Sequence, residues 1–367
     1  MRAAVMERVD EPLVVDEIDV RDPIAGEVLV RVVACGACHS DLSVVDGSFP
    51  LPLPAVLGHE AAGVVEAVGD GVTAVRPGDQ VVITPTPPCG RCYFCLRGDQ
   101  TLCHDATMGL FTGTLPNGTT PYSRKGETVY RGLSAGAFSE LTICPVGGVV
   151  KIPGDVDPAV ACVIGCAVQT GVGAVLNTAR VPEGATAFVS GAGGIGIAIT
   201  QGLRLAAASR IIVADPVAER RQHALRFGAT DVVDPTTDDV ASVVHQLTGG
   251  IGVDYAFEGA GRAVLIEQAL GLIRSGGTCV MVGAPPVDEG ISIRGVVGFG
   301  ATEKKLVGCL LGSVHSHRDI PRFIDLYQAG RLDLEGMITR RVKLDEVNGA
   351  LDDLRNTRGI RTVVEMA

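Results

Sequence analysis

The chain has 367 residues, more than one hydrophobic core usually supports, so about two domains are expected. Apolar residues make up 46% of it and charged residues 20%, which is typical of a globular protein without a disordered tract. The net charge of −11 argues against nucleic acid or an anionic membrane surface as a general partner.

Eleven cysteines are spread along the chain. No secretory signal follows Met1, and no apolar run reaches the roughly 20 residues that span a bilayer. We therefore expect a cytoplasmic protein that inserts in no membrane. Thiols stay reduced in the cytoplasm, so metal ligands or catalytic groups explain these cysteines better than disulfides do.

The first part of the chain predicts a β-rich unit. Apolar and polar side chains alternate over residues 1–34, and strand-like runs recur at 62–68, 80–84 and 137–144. Turn residues dominate from Pro85 to Gly136, where no regular element is predicted. A helical pattern covers 157–179, with Asp157 and Pro158 as its cap and first-turn residue.

From residue 185 onward, strands and helices alternate. Six apolar runs predict the strands of a parallel, doubly wound sheet: 185–189, 210–214, 231–233, 253–257, 278–282 and 306–309. A helix over 319–329 and a strand over 361–365 follow. We therefore predict an α/β protein in which residues 1–167 and 311–367 form a β-rich domain. A nucleotide-binding domain, 168–310, interrupts it.

Residues 191–196 read Gly-Ala-Gly-Gly-Ile-Gly and join the first of these strands to a helix predicted over 197–205. In this dinucleotide fingerprint the first glycine allows a tight turn, the second lets backbone approach the pyrophosphate, and the third lets helix pack on strand. Asp215 lies 19 residues after Gly196, where its carboxylate binds both ribose hydroxyls and repels a 2′-phosphate. The pattern predicts NAD(H) rather than NADP, bound by the fingerprint residues Gly191, Gly193, Gly194, Ile195 and Gly196.

Four cysteines lie in one loop at short spacing: Cys89, Cys92, Cys95 and Cys103. Four thiolates so spaced close a tetrahedron around zinc without help from the rest of the fold. An iron–sulfur cluster also uses four cysteines, and four inert thiols are the plainest alternative. The spacing favours a structural zinc.

A second set of metal-ligand types is dispersed: Cys38, His59 and Cys166. Taken singly, each has an ordinary explanation as a buried thiol or a core histidine. Taken together, two thiolates, one imidazole and an open position form the pattern of a catalytic zinc. The spacing alone leaves both explanations open.

With these motifs the chain resembles the zinc-dependent medium-chain alcohol dehydrogenases, in the long form that includes liver-type alcohol dehydrogenase and glutathione-dependent formaldehyde dehydrogenase. The resemblance runs nearly end to end. It is carried by Cys-His-Ser-Asp at 38–41, Gly-His-Glu at 58–60, the cysteine loop at 89–103, Gly-Cys at 165–166, the fingerprint at 191–196 and Gly-Ile-Arg-Thr at 359–362.

The resemblance implies a GroES-like β domain that bears two zinc ions, a Rossmann domain that binds NAD(H), a cleft between them, and a homodimer. It implies that Cys38, His59 and Cys166 hold the catalytic zinc, with Glu60 close by, Asp41 orienting His59, and Ser40 accepting the substrate proton. For the cofactor it implies contacts from His39 and Arg361 to the pyrophosphate, Thr170 to the nicotinamide side, Arg220 near the adenosine ribose, and Val282.

The predicted activity is NAD-dependent oxidation of a primary or aromatic alcohol to its aldehyde. Two positions depart from the family: Ser43 replaces the histidine that ends the proton relay, and Pro85 replaces an aromatic pocket wall. A thiol-dependent formaldehyde dehydrogenase, using glutathione or mycothiol, is the alternative. It needs a basic pocket for the carboxylates of the thiol, and Arg91, Arg97, Arg124 and Lys125 indicate no more than a solvated face. A non-catalytic nucleotide-binding module is the third interpretation.

Overall fold

The computed structural model describes residues 1–366, in which the chain divides into two compact units. The first unit runs from Met1 to Cys166 and resumes at Val314, and the second is Ala167–Ser313. The sequence had placed these breaks after residues 167 and 310. The fold class is α/β as predicted, with a β-rich first unit and a parallel sheet in the second.

The N-terminal part of the first unit is mainly strand. Its strands are β1 (Arg2–Met6), β2 (Val14–Glu17), β3 (Asp19–Val20), β4 (Glu27–Gly36), β5 (Ala55–Val56), β6 (Glu60–Val68), β7 (Gln80–Ile83), β8 (Tyr122–Arg124), β9 (Glu127–Arg131), β10 (Leu141–Pro145) and β11 (Val149–Lys151). Its helices are short: α1 (His39–Val45), α2 (Tyr93–Arg97), α3 (His104–Thr112) and α4 (Pro158–Ala161).

The stretch from Pro85 to Gly136 is more regular than its sequence predicts, since it contains α2, α3 and the β8–β9 hairpin. Helix α2 has only five residues and is capped at each end: the sulfur of Cys92 accepts from the backbone N–H of Cys95, and Gly98 adopts the left-handed conformation. Elements this short give no periodic signal, which is why the pattern missed them.

The second unit is a parallel sheet with helices between its strands. The strands are β12 (Thr186–Ser190), β13 (Arg210–Ala214), β14 (Asp231–Val233), β15 (Val253–Glu258), β16 (Ile273–Met281) and β17 (Lys305–Gly308). The helices are α5 (Ala167–Gly173), α6 (Gly194–Leu205), α7 (Ala218–Phe227), α8 (Val240–Leu247) and α9 (Ala263–Leu272). The sheet order is β14-β13-β12-β15-β16-β17, so the winding reverses between β12 and β15.

The C-terminal segment completes the first unit with α10 (Ser316–Gln328), β18 (Ile338–Lys343), α11 (Val347–Arg355) and β19 (Arg361–Glu365). Strand β19 pairs antiparallel with β4 and parallel with β18. One sheet of this unit therefore runs β11-β7-β6-β4-β19-β18, with β10 also on β4, and a second runs β2-β1-β5-β9-β8-β3.

Each unit has its own apolar core, built mainly from aliphatic side chains with a few phenylalanines and without tryptophan. Within residues 1–366, no single helix has the length and apolar composition of a membrane span. The helical stretches 158–165 and 167–179 meet that criterion only when joined across a sharp bend.

Candidate metal and dinucleotide sites

The turn between β4 and α1 carries the first metal-ligand candidate. Cys38 is the extended residue that precedes α1, and its backbone N–H donates to the carboxylate of Asp41 at 3.3 Å. The same buried carboxylate accepts from the backbone N–H of Gly58 at 2.9 Å and lies 3.1 Å from Nδ1 of His59. Asp41 therefore joins two turns that are distant in sequence. Because the Asp41 carboxylate accepts a hydrogen bond, Nδ1 of His59 is the nitrogen that donates, and Nε2 is left for a metal.

Cys38, His59 and Cys166 converge in the interior of the first unit. Their ligand atoms all lie within 4.8 Å of one another, and the three side chains are buried. A hydrogen bond from the Cys166 thiol lowers the pKa of Cys38 well below its usual value and raises that of Cys166. Burial opposes charge on His59, but Asp41 and Cys38 outweigh it and raise the pKa of the imidazole.

This donor set fits zinc. Two sulfurs and one imidazole nitrogen are the ligands zinc prefers, and three protein ligands leave the position that a catalytic site requires. The protons that these buried groups share are those that a divalent cation replaces on binding.

Glu60 and Arg361 form a buried ion pair beside these ligands. Nε of Arg361 lies 3.2 Å from Oε1 of Glu60, and Nη1 donates to the carbonyl of Ala37 at 2.6 Å. Gly36 makes room for the carboxylate, since a Cβ there would meet Oε1 of Glu60 at 2.2 Å. Burial disfavours the guanidinium, yet Glu60 and the thiol groups of Cys38 and Cys166 raise its pKa. The structure thus places Arg361 against Glu60 and the metal-ligand set.

The strand that carries Arg361 is anchored on both sides. Oγ1 of Thr339 accepts from the backbone N–H of Ile360 at 3.0 Å. The hydroxyl of Thr362 donates to the buried carboxylate of Asp353 at 3.1 Å. These bonds give the Gly-Ile-Arg-Thr motif its structural role.

Three polar residues on or near α1 differ in exposure. Ser40 is half-buried, with its hydroxyl 3.9 Å from the sulfur of Cys38, whereas His39 is exposed. Ser43 is half-buried, and its carbonyl accepts from the backbone N–H of Phe49 and the hydroxyl of Ser48. The hydroxyl of Ser40 therefore lies beside one member of the metal-ligand set.

The four-cysteine loop is a second, closed set of sulfurs. The ligand atoms of Cys89, Cys92, Cys95 and Cys103 all lie within 4.8 Å of one another. Backbone N–H groups of Cys95 and His104 lower the pKa of Cys92 to about 6, whereas burial raises that of Cys95 to about 12. Four converging sulfurs fit a structural zinc.

In the second unit, the fingerprint turn follows β12 and leads into α6. Gly191 has φ +89°, which favours glycine, and a Cβ on Gly196 would lie 1.8 Å from the carbonyl oxygen of Gly191. A Cβ on Gly193 would meet only Nη1 of Arg220, at 3.8 Å. The turn thus leaves open backbone at Gly193, while Gly194 and Ile195 begin the helix whose N-terminal N–H groups suit a pyrophosphate.

Asp215 follows β13 and contacts the fingerprint directly. Its buried carboxylate accepts from the backbone N–H groups of Ala192 and Val217, each at 2.8 Å. Arg220 is buried beside Gly193. The unit therefore brings together a glycine turn, an acid and a base at the carboxyl ends of two neighbouring strands, which fits the ribose and phosphates of a dinucleotide.

Thr170 and Val282 are also buried. Thr170 lies in α5, and Val282 follows β16, with its N–H donating to the carbonyl of Glu258 at 3.0 Å. Glu258 was not predicted as a site residue. The sequence feature that marks it is an acid at the end of an apolar strand, followed by Gly259, Ala260 and Gly261.

Comparison with known proteins gives two family models: the alcohol dehydrogenase GroES-like domain over residues 24–154 and the zinc-binding dehydrogenase over 194–329. An alcohol dehydrogenase zinc-binding domain protein from Burkholderia ambifaria is 33% identical with a TM-score of 0.95, covering 100% of this chain and 98% of that one. Benzyl alcohol dehydrogenase from Acinetobacter calcoaceticus is 30% identical with a TM-score of 0.94, covering 100% and 99%. A protein from Sinorhizobium meliloti 1021 described as a candidate zinc-binding dehydrogenase, bound to NADP, is 28% identical with a TM-score of 0.81, covering 100% and 99%.

Proposed function

Because this chain belongs to the zinc-dependent medium-chain alcohol dehydrogenase family, we propose that it oxidises a primary or aromatic alcohol to the aldehyde with NAD. The observation that carries the proposal is the convergence of Cys38, His59 and Cys166 in an open donor set. The fingerprint and Asp215 supply the nucleotide-binding half. The reaction converts alcohol and NAD⁺ to aldehyde, NADH and one proton.

Cys38, His59 and Cys166 would hold the catalytic zinc, which when bound is a Lewis acid that lowers the pKa of an alcohol hydroxyl. Asp41 holds the ring of His59 through Nδ1, so Nε2 keeps its direction during turnover. Ser40 accepts the hydroxyl proton and passes its own hydroxyl proton to water, because its oxygen lies beside the sulfur of Cys38. Glu60 and Arg361 balance each other's charge in the buried surroundings of these ligands.

We propose NAD as the cofactor, since nicotinamide chemistry supplies the hydride acceptor and Asp215 meets the ribose. A 2′-phosphate beside this buried carboxylate costs on the order of 1–4 kcal/mol, or roughly tenfold to a thousandfold in affinity. The ratio of kcat/KM for NAD and NADP measures the preference. Equal values contradict it.

We also propose two zinc ions per chain, the second in the loop of Cys89, Cys92, Cys95 and Cys103. This loop has a structural role, because four ligands leave no open position for a substrate. Metal analysis of the purified protein checks the count.

The benzyl alcohol dehydrogenase neighbour supports an aromatic substrate. The pairing of the arginines disfavours a thiol adduct: Arg91, Arg97 and Arg124 each contact a carboxylate, of Asp105, Asp99 and Glu7 respectively. These arginines form a charge-balanced face, whereas the carboxylates of glutathione need an unpaired basic pocket.

A panel of short, branched and aromatic alcohols, compared by kcat/KM with NAD on the zinc-loaded protein, tests the substrate class. Activity highest with primary aromatic alcohols supports the proposal. Formaldehyde oxidised only when glutathione or mycothiol is added overturns it, and so does a lack of NAD reduction with every alcohol.

We propose a homodimer. Strand β17 is at one edge of the second unit's sheet, and the segment before it exposes four large apolar side chains, Val287, Ile293, Val296 and Val297. An open edge next to exposed valines favours pairing with a second copy. Sedimentation equilibrium should give twice the chain mass, and Val297→Asp should lower it toward the monomer.

A further inference from the structure

Glu258 is a fully buried carboxylate that the proposed reaction does not use. It ends β15, and in the register of the sheet it lies between Ser190 of β12 and Met281 of β16. The carboxyl ends of parallel strands meet at one edge of a sheet, where ligands bind. Glu258 therefore lies in the row of turns that includes the fingerprint.

Both the side chain and the backbone of Glu258 hold turns in this row. Oε1 accepts from the N–H groups of Ala260 at 2.8 Å and Gly261 at 2.9 Å. Its backbone carbonyl accepts from Val282 at 3.0 Å and Gly283 at 2.8 Å. One residue thus joins the turn after β15 to the turn after β16.

These turns pack backbone against backbone. A Cβ on Gly191 would lie 3.2 Å from the Cβ of Ala260, so the turn after β15 abuts the fingerprint. A Cβ on Gly283 would lie 2.3 Å from the backbone nitrogen of Gly261. The carboxylate of Glu258 lies at the same contact, 2.8 Å from where a Cβ on Gly283 would be, so the spacing of the turns after β15 and β16 depends on Glu258.

Burying a carboxylate to connect these turns costs free energy of desolvation. Burial raises the pKa of Glu258, although the backbone N–H groups that it accepts oppose this effect. Ionised carboxylates lose hydration when buried and persist where several donors replace the water. The N–H groups of Ala260 and Gly261 are such donors, so the turn replaces the water that the carboxylate loses.

The fingerprint turn has anchors of its own. The backbone N–H of Gly191 donates to the carbonyl of Ala214 at 2.8 Å, and that of Ala192 donates to Asp215. The adenosine half of a dinucleotide is bound on this side, over β12 and β13. The other half crosses the point where the strand order reverses, onto the ends of β15 and β16.

We propose that Glu258 is a positioning residue for the nicotinamide half of the cofactor. By fixing the turns at 259–261 and 282–283 against the fingerprint, it sets the surface that this half lies on, while the adenosine half is held independently. The proposal rests on the proposed nicotinamide-dependent function.

Equilibrium binding of two probes to the full-length Glu258→Gln variant tests the proposal. Glutamine keeps the size of the side chain but removes the charge and turns an N–H₂ group toward the turn. NADH should bind about tenfold more weakly, as expected for loss of one charged hydrogen bond, while ADP-ribose should bind within about twofold of wild type. Fluorescence titration and calorimetry measure these constants without turnover.

Asp254→Asn is the matched control. Asp254 lies at the other end of the same strand, where it accepts from the N–H and hydroxyl of Thr186 and pairs with Arg274. This variant should lower the melting temperature yet leave the binding of both probes unchanged. Weakening of NADH by Asp254→Asn to the same degree overturns the proposal, because any loosening of the sheet then has that effect.

The remaining results of the binding experiment also test the proposal. Equal weakening of NADH and ADP-ribose in Glu258→Gln, or no weakening of either, overturns the role of Glu258. Failure of wild type to bind either probe overturns the proposed function instead. If Glu258→Gln does not fold, amide exchange in wild type replaces it: NADH should slow exchange at 259–261 and 282–283 more than ADP-ribose does, and equal slowing counts against the proposal.

Discussion

The two cysteine clusters of the first unit differ in what holds their ligands together. Cys89, Cys92, Cys95 and Cys103 lie in one loop, whose own backbone N–H groups point at the sulfurs. Cys38, His59 and Cys166 come from three separate elements, and Asp41 and the Glu60–Arg361 pair surround them. A closed cluster is complete in a short loop, whereas an open one needs the whole unit to keep its ligands in place with a position free.

Removing the imidazole of the dispersed cluster should have the largest effect on activity. In His59→Ala the zinc content is expected to fall from two to one, and kcat/KM by about a thousandfold or more, since Lewis-acid catalysis contributes several kcal/mol. Metal analysis and steady-state kinetics on the same sample check both. Full activity in this variant would show that the dispersed cluster is not the catalytic site.

Changing Asp41, which orients His59, should lower kcat/KM less than removing a metal ligand does. Asp41→Asn keeps an acceptor for Gly58 but loses the charge beside Nδ1 of His59. We expect kcat/KM to fall by about 10–100-fold, the usual effect of changing the partner of a metal-bound histidine. Kinetics at saturating zinc separate this from metal loss. An unchanged rate would mean that the fold alone orients the ring.

Replacing Ser43 by histidine should change the rate less than these substitutions do, and should raise it. Ser43→His adds a base where the family relay ends, so single-turnover alcohol oxidation at pH 6–8 should rise roughly threefold to tenfold, the part of general-base catalysis that water does not already provide. Aldehyde binding should not change. If added imidazole buffer leaves the wild-type rate unaltered and the variant matches wild type, another group already carries the proton.

Removing a ligand from the four-cysteine loop should leave the rate of the catalysed reaction almost unchanged. Cys95→Ser is expected to lose the loop zinc and lower the melting temperature by on the order of 5–10 °C, while kcat/KM per folded chain stays within about twofold. Calorimetry and kinetics below the transition provide the comparison. A loss of activity as large as that of His59→Ala, with the catalytic zinc retained, would contradict the division of roles.

The same contrast explains how much of the molecule was predictable. Four cysteines in one loop are visible as a pattern, because the chain itself sets their separation. Cys38, His59 and Cys166 have no such spacing. Their ligand types indicated a catalytic zinc as one of two explanations, and the resemblance to a family was needed to decide, because only the fold brings the three residues together. The six parallel strands were predictable because buried strands give continuous apolar runs.

Two buried carboxylates, Asp353 and Glu258, were not predicted from the sequence. Asp353 binds Arg340, Arg358 and Thr362, and Glu258 binds backbone N–H groups. Burial and partners decide the role of a carboxylate, and both are tertiary properties. The ion pair of Glu60 with Arg361 was missed for the same reason.

The position of β19 has a consequence for the order in which the protein matures. Arg361 meets the carbonyl of Ala37 across 324 residues, so β19 is synthesised long after β4, the strand with which it pairs. The contiguous nucleotide-binding unit and the cysteine loop have all their residues available earlier, and domains generally fold as units during synthesis. Until β19 docks, the guanidinium of Arg361 does not lie beside Glu60. A nascent chain is therefore able to form the four-cysteine loop before Arg361 reaches the set of Cys38, His59 and Cys166.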